Sequence, residues 1–214
     1  MRRMAVALSL LLAGCSSNGQ SAYKDYFSIV RQVWSARSGA ITLKQAASIP
    51  YASLGFRVNG SQQQLLVLAT DTGGELLWTA ASHIVLQTRD GRLLRTVGLP
   101  HDLGGTTTGT TLPAPKDALQ GAVSTSREMD FPDLQLFGVH VACRAAARGR
   151  TTVAILGKPI HTTRVDEHCS ARSGDWSFTN TYWIDAESGF VWKSRQTVHP
   201  KGDVIDIEIL RPPS

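Results

Sequence analysis

The 214-residue chain lacks most of the signatures by which an enzyme or a nucleic-acid binder announces itself. It has no G-x-S-x-G elbow, no H-E-x-x-H, no P-loop and no G-x-G-x-x-G. Gly104-Gly105 with Gly109 has neither the strand-to-helix setting nor the Lys that cradles a phosphate. No five like charges run together, so the footprint of a nucleic-acid-binding protein is missing. No apolar run approaches the roughly 20 residues that cross a hydrocarbon core about 30 Å thick. Cysteine is scarce: Cys15, Cys143 and Cys169 are the three, without a C-x-x-C. The six histidines share no spacing that argues for a metal, and neither metal nor cofactor is expected.

What is present begins at the start. Arg2 and Arg3 precede an apolar run, Met4 to Ala13, that closes on Leu12-Ala13-Gly14-Cys15. That is the layout of a secretory signal peptide, and its ending on Cys resembles the lipobox of bacterial lipoproteins. The resemblance implies cleavage after residue 14 and acylation, palmitate included, of Cys15. Ser16-Ser17 in place of an Asp favours the outer membrane over retention in the inner one, with the body facing the periplasm. Several acyl chains anchor stably where one does not. Residues 15–21 read as a polar tether and 22–214 as one β-rich periplasmic domain. The pI of 9.4 overstates the charge, because Arg2 and Arg3 leave with the signal and the rest is only mildly cationic.

With Cys15 acylated, Cys143 and Cys169 form an even pair in an oxidising compartment, and a disulfide between them is the simplest outcome. It would stabilise the fold by about 3.5 kcal/mol in the chain-entropy model. Free thiols and a metal site with His140 and His168 are the alternatives. Residues three apart or adjacent on a strand face opposite sides, which works against the metal.

Ser21 to Ser38 carries Tyr23, Tyr26, Phe27, Val30, Val33 and Trp34 at helical spacing, with Ser21 as N-cap and Gly39 as stop. Thr42-Leu43-Lys44-Gln45 resembles a capping box for a short helix ending before Pro50. From Tyr51 the period becomes two. Leu65–Ala69, Glu75–Ala80, Ser82–Thr88 and Arg92–Val97 read as strands, with turns at Asp71–Gly74 and at Asp90-Gly91. Loop 103–118 is rich in Gly, Thr and Pro with almost nothing to bury, a mobile connection and a possible sub-domain break. Strands resume at Leu134–Ala146, Thr151–Leu156, Ile160–Ala171, Trp176–Ile184, Phe190–Val198 and Val204–Leu210, with Arg148-Gly149 among the turns. The fold class is mainly β: an N-terminal helix, then coiled antiparallel sheets of meander or sandwich type with one disulfide.

The acidic pairs Asp166-Glu167 and Asp130/Asp133 read as exposed strand edges or turns. Trp78, Trp183 and Trp192 lie on expected strands near Arg92, Arg95, Lys193 and Arg195. Aromatic platforms with basic neighbours hold sugar rings or acidic polymer, so these seven are candidate glycan or partner contacts. Core packing of the aromatics is the competing reading.

Several ordered segments add a resemblance. Ile49 to Gly55, Leu66-Val67-Leu68, Leu77-Trp78 and Asp90 to Leu99 come first. Cys143, Glu167-His168-Cys169, Asn180 to Asp185 and Gly189 to Gln196 follow. With the lipobox they resemble the YjbF/GfcB group of outer-membrane lipoproteins linked to group 4 capsule and exopolysaccharide production. The resemblance implies a non-enzymatic accessory lipoprotein that assists assembly or export of the polymer. It also implies partners among the products of such operons, including an outer-membrane β-barrel and a small periplasmic β-rich protein. No catalytic residue carries over. A carbohydrate-active enzyme and a carrier of lipid or lipoprotein acyl chains are the alternative functions.

Overall fold

The computed structural model describes residues 39–109 and 111–213. The signal 1–14, Cys15, the tether and the helix expected over Ser21–Ser38 lie outside the described residues. The capping box is present. Thr42 Oγ1 accepts from the Gln45 amide at 3.3 Å, and Gln45 Oε1 accepts from the Thr42 amide at 2.7 Å. It opens α1 (Leu43–Ala47), which stops before Pro50. Ile41 and Ile49, on either side of this helix, cover Leu65, Val67 and Leu210 on the outer face of the sheet.

The first half then supplies β1 (Ser53–Val58), β2 (Gln64–Thr72), β3 (Glu75–Thr79), β4 (Val85–Arg89), β5 (Arg92–Val97) and the short β6 (Gly105–Thr107). The second supplies β7 (Val123–Phe131), β8 (Leu136–Ile155), β9 (Lys158–Ala171), β10 (Ser177–Ile184), β11 (Val191–Thr197) and β12 (Val204–Arg211). All belong to one antiparallel sheet of twelve strands, ordered β5-β4-β3-β2-β1-β12-β11-β10-β9-β8-β7-β6. Consecutive strands pair throughout except β5 and β6, the two ends of the sheet, and the halves join at one seam, where β1 meets β12 with Leu54 opposite Ile209 and Phe56 opposite Ile207. The sheet curls until its end strands approach: the Thr96 amide donates to Leu103 O at 2.9 Å just before β6. The result is nearly a barrel, with β5 and β6 as its two end strands.

Tight turns drive the meander. Gly73-Gly74, Asp90-Gly91 and Leu156-Gly157 each place two consecutive residues at positive φ, as two-residue hairpins with right-handed strand twist require. At Gly91 the requirement is double, since a Cβ there would also strike the Val191 side chain. Along each strand alternate residues point inward. Leu54, Phe56, Leu66, Trp78, Leu86 and Ile205 are among the side chains that fill the interior.

Three sequence expectations change. Arg148-Gly149 is not a turn. Leu134–Ala146 and Thr151–Leu156 are joined in the single β8, whose register with β9 slips between Ala147 and Gly149, a bulge at a glycine with φ of 132°. Segment 103–118 is not featureless, because Leu103 is buried, β6 pairs with β7, and a 3-10 turn at Pro115–Leu119 buries Pro115 and Ala118. Strand β7 was not read from the sequence at all. Its inward positions include Thr125 and Arg127, so its apolar alternation is broken.

Cys143 and Cys169 face each other across β8 and β9 and are bonded, with their Cα atoms 4.0 Å apart. The bond ties the centre of the second half to the interior cluster. Replacing both by Ala is expected to lower unfolding stability by about 2–5 kcal/mol. Urea unfolding extrapolated to water, with midpoint and slope both fitted, measures it, and an unchanged unfolding free energy contradicts a structural role.

Candidate functional site

Adjacent residues on a strand face opposite sides of the sheet, and Asp166-Glu167 on β9 splits in this way. Glu167 points into the barrel and has no exposed surface. Its Oε1 accepts from Arg92 at 2.7 Å and from Arg127 at 3.1 Å. Its Oε2 accepts from Arg127 at 3.2 Å, Asn180 at 2.9 Å and the Tyr182 hydroxyl at 3.4 Å. Both guanidinium groups are buried as well. Arg127 also reaches Cys169 Sγ at 3.5 Å, which sets the disulfide beside the triad. Around it, Gln196 accepts from the Leu93 amide and donates to Gly91 O and Ser194 Oγ. Burial alone would push the Glu167 carboxyl up. The charges of Arg127 and Arg92, with hydrogen bonds from Arg127 and Asn180, outweigh it and bring the pKa from 4.5 to about 2. Burial and the Glu167 charge push the Tyr182 phenol up. A carboxyl held ionised in this way is a poor general acid, which needs the opposite shift.

Asp166 faces outward but is not the exposed edge residue its sequence suggested. It is 7% exposed and accepts from Arg148, Arg164 and Thr181. Burial pushes its carboxyl up, but those partners leave it below the ordinary carboxylate range. Asp133 sits between His199 and Lys201, and Asp130 accepts from the Gly138 amide. These acids do not converge on a cleft.

The candidate contacts divide between the two faces. Trp78, Arg92 and Trp192 point inward. Trp78 is fully buried with its indole N–H on Thr88 Oγ1, and Arg92 belongs to the triad. At the barrel end carrying the 73–74, 90–91 and 188–190 turns, the interior opens as a cavity of about 420 Å³. Its walls include Leu54, Leu76, Trp78, Trp192, Ile207 and Ile209, with Asp71, Asp90, Lys116 and Lys193 also bordering it. Asp71 and Asp90 are exposed and lie at hairpin turns.

Trp183, Lys193 and Arg195 lie on the outer face. Trp183 on β10 stands directly opposite Arg164 on β9 and Lys193 on β11, so one half-buried indole lies between two cations. The Lys193 ammonium is 5.6 Å from the Trp183 ring centroid and pairs with Glu208 at 2.6 Å. Arg195, in the next row opposite Thr181, is loosely paired with Asp206 at 3.7 Å. Arg95 is exposed on β5, away from this row. Arg164 and Arg148 were not singled out in the sequence. The pairing register places Arg164 beside Trp183, and Arg148, the bulged residue of β8, reaches the outer face through Asp166.

The opposite barrel end is closed by polar contacts between turns. His101 Nδ1 lies 2.7 Å from Asp203, which accepts from Asn59. The Lys201 amide donates to His199 Nδ1, so the other nitrogen carries the proton toward Asp133 at 2.9 Å. The two imidazoles stack at 5.0 Å. Among the described residues the one close group of metal-ligating types is Cys143, Glu167 and Cys169, and its sulfurs are bonded to each other.

The triad predicts an acid limit. Glu167 titrates near 2 when folded and near 4.5 when unfolded, so its stabilising contribution is complete above about pH 4.5 and is lost as pH falls toward 2. Glu167→Gln leaves two buried cations and is expected to cost about 3–5 kcal/mol, whereas Glu167→Leu combined with Arg92→Met and Arg127→Met recovers most of that. Urea unfolding at pH 7 and pH 3 tests both statements. A wild-type stability that is flat over this pH range contradicts the first.

Comparison with known proteins places this geometry. Residues 27–210 match the family model described as group 4 capsule polysaccharide lipoprotein gfcB, YjbF. The uncharacterized lipoprotein GfcB of Escherichia coli K12 is 24% identical over 207 residues, covering 95% of each chain. The uncharacterized lipoprotein YjbF of the same organism is 28% identical over 209 residues, covering 92% of this chain and 91% of that one. The crystal structure of the hypothetical lipoprotein YmcC from Escherichia coli K12 superposes with a TM-score of 0.77 at 21% identity, over 89% of this chain and 95% of the other, and shows the same fold. The chain belongs to the YjbF/GfcB family of group 4 capsule polysaccharide lipoproteins.

Proposed function

We propose that this protein is a non-enzymatic accessory lipoprotein that helps to assemble or export a capsular or extracellular polysaccharide, working by binding. The family description supplies the polysaccharide association. The observation that carries the binding mode is the outward row Arg164–Trp183–Lys193, with Arg195 beside it. An indole face stacks on the apolar face of a sugar ring, and flanking cations meet the carboxylates of an acidic polymer. Half-exposed arginines are easily re-paired, because surface ion pairs such as Arg195–Asp206 hold little energy. Catalysis has less support. Glu167 is locked between guanidinium groups, and the two acids at the cavity, Asp71 and Asp90, sit exposed at separate hairpin turns. Its expected place is the periplasmic side of the outer membrane, held by lipid on Cys15, with operon-encoded partners such as an outer-membrane β-barrel. Among the described residues no helix is long and apolar enough to cross a membrane.

Deletion is expected to lower exported polysaccharide, and Trp183→Ala or Lys193→Glu with Arg195→Glu to lower it several-fold while the melting temperature holds. Asp71→Asn with Asp90→Asn should leave export unchanged; loss of export in that folded variant would support the enzyme instead. Separately, a fatty-acid analogue fed to cells should label wild type but not Cys15→Ala, and equal labelling of both contradicts acylation at Cys15.

A further inference from the structure

We propose that the cavity at the open barrel end holds one acyl chain of a zwitterionic phospholipid. This site opens to the inner face of the sheet, whereas the Trp183 indole lies on the outer face; Lys193 is the one residue common to both. The cavity, about 420 Å³, falls within the size range of small-ligand sites, and its walls are mainly hydrocarbon: Leu76, Phe190, Trp192, Ile207 and Ile209, backed by the fully buried Leu54 and Trp78.

Its inner polar groups are already engaged. Thr88 Oγ1 takes the Trp78 indole N–H at 2.9 Å, and Ser194 Oγ takes the Gln196 amide N–H at 2.9 Å. A sugar would bring many hydroxyls into a wall with few free partners, and each unpaired one costs binding energy. An alkyl chain meets no such penalty and gains free energy with every methylene it buries. The border has both signs of charge. Asp71 and Asp90 lie at neighbouring hairpin turns, Lys116 approaches from the 3-10 turn with its stem packed over Gly189, and Lys193 is already paired with Glu208. Lys116 has no ion-pair partner among the described residues. A head group with a phosphate for Lys116 and an ammonium for Asp71 and Asp90 satisfies both, where a purely anionic head would face two carboxylates. The far end is shut by the His101–Asp203 and His199–Asp133 contacts, so the chain enters and leaves by one mouth.

The test uses the full-length acylated protein reconstituted in phosphatidylethanolamine vesicles containing a trace of the same lipid with a diazirine on its acyl chain. After irradiation, adducts should map to residues 74–78 and 188–194 at least tenfold above the peptide carrying Trp183. Leu76→Trp, or Ile209→Phe should the first fail to fold, fills the cavity and should remove at least nine-tenths of these adducts at an unchanged melting temperature. Asp71→Lys with Asp90→Lys, both on exposed turns, should reduce them several-fold. Adducts no more frequent in the cavity than on the outer face, or unaffected by filling it, overturn the proposal. Equal labelling by photoreactive phosphatidylglycerol overturns the head-group assignment.

Discussion

Glu167 is the pin on which the near-barrel closes. Arg92 stands on β5, one end of the sheet, and Arg127 on β7, next to the other end, yet both donate to one carboxylate on β9. Main-chain pairing cannot make that link, because hydrogen-bonded strands join only neighbours. The triad spans the interior and draws the two ends together, where Thr96 and Leu103 complete the approach. Two buried cations and one anion leave the barrel with excess positive charge, so the arrangement is costly to desolvate. Its partners offset this: each carboxylate oxygen accepts more than one hydrogen bond, and Arg92 also donates to Pro113 O. An apolar replacement of the triad would lose less stability than orientation. The charges give the sheet one way to curl, as buried polar contacts do elsewhere when they fix register.

The same triad explains where sequence reading succeeded and where it stopped. Local signals were reliable: Gly73-Gly74 and Asp90-Gly91 gave their hairpins, Thr42 and Gln45 gave the capping box, and the strand expected at Val204–Leu210 is β12. Failures occurred where a long-range partner decided the outcome. Arg127 looks like a surface residue until Glu167 is placed opposite, so β7 had no readable inner face. Asp166-Glu167 looks like an exposed acidic pair, but a period of two sends one residue to each side, and both find arginines. At Gly149 a bulge and a turn use the same glycine signal, and only pairing to Arg164 and Thr163 on β9 distinguishes them.

Period two also sorts the candidate contacts. Trp192 and Lys193 are neighbours in the chain, but Trp192 packs on the interior cluster, whereas Lys193, which also borders the cavity, holds its ammonium beside Trp183 on the outer face. Reading them as one patch mixes two surfaces with different chemistry. The outer row is aromatic and cationic, suited to stacking and charge. The inner wall is aliphatic and aromatic, suited to hydrocarbon. Both rest on β11, whose inward Gln196 is tied to the Leu93 amide and to Gly91 O across the barrel.

The two barrel ends differ for a reason that lies in their turns. At the closed end the connections are long enough for His101, Asp133, His199 and Asp203 to meet, where they satisfy one another across three separate loops. At the open end three of the connections are two-residue hairpins at positive φ, too short to carry a side chain across the mouth. The longer 3-10 segment brings only Pro115, Ala118 and the Lys116 stem to that rim. A short turn therefore does more than reverse the chain here. It leaves inward strand residues such as Leu76 and Ile209 without a lid, and the cavity is the volume that a tight meander cannot cover.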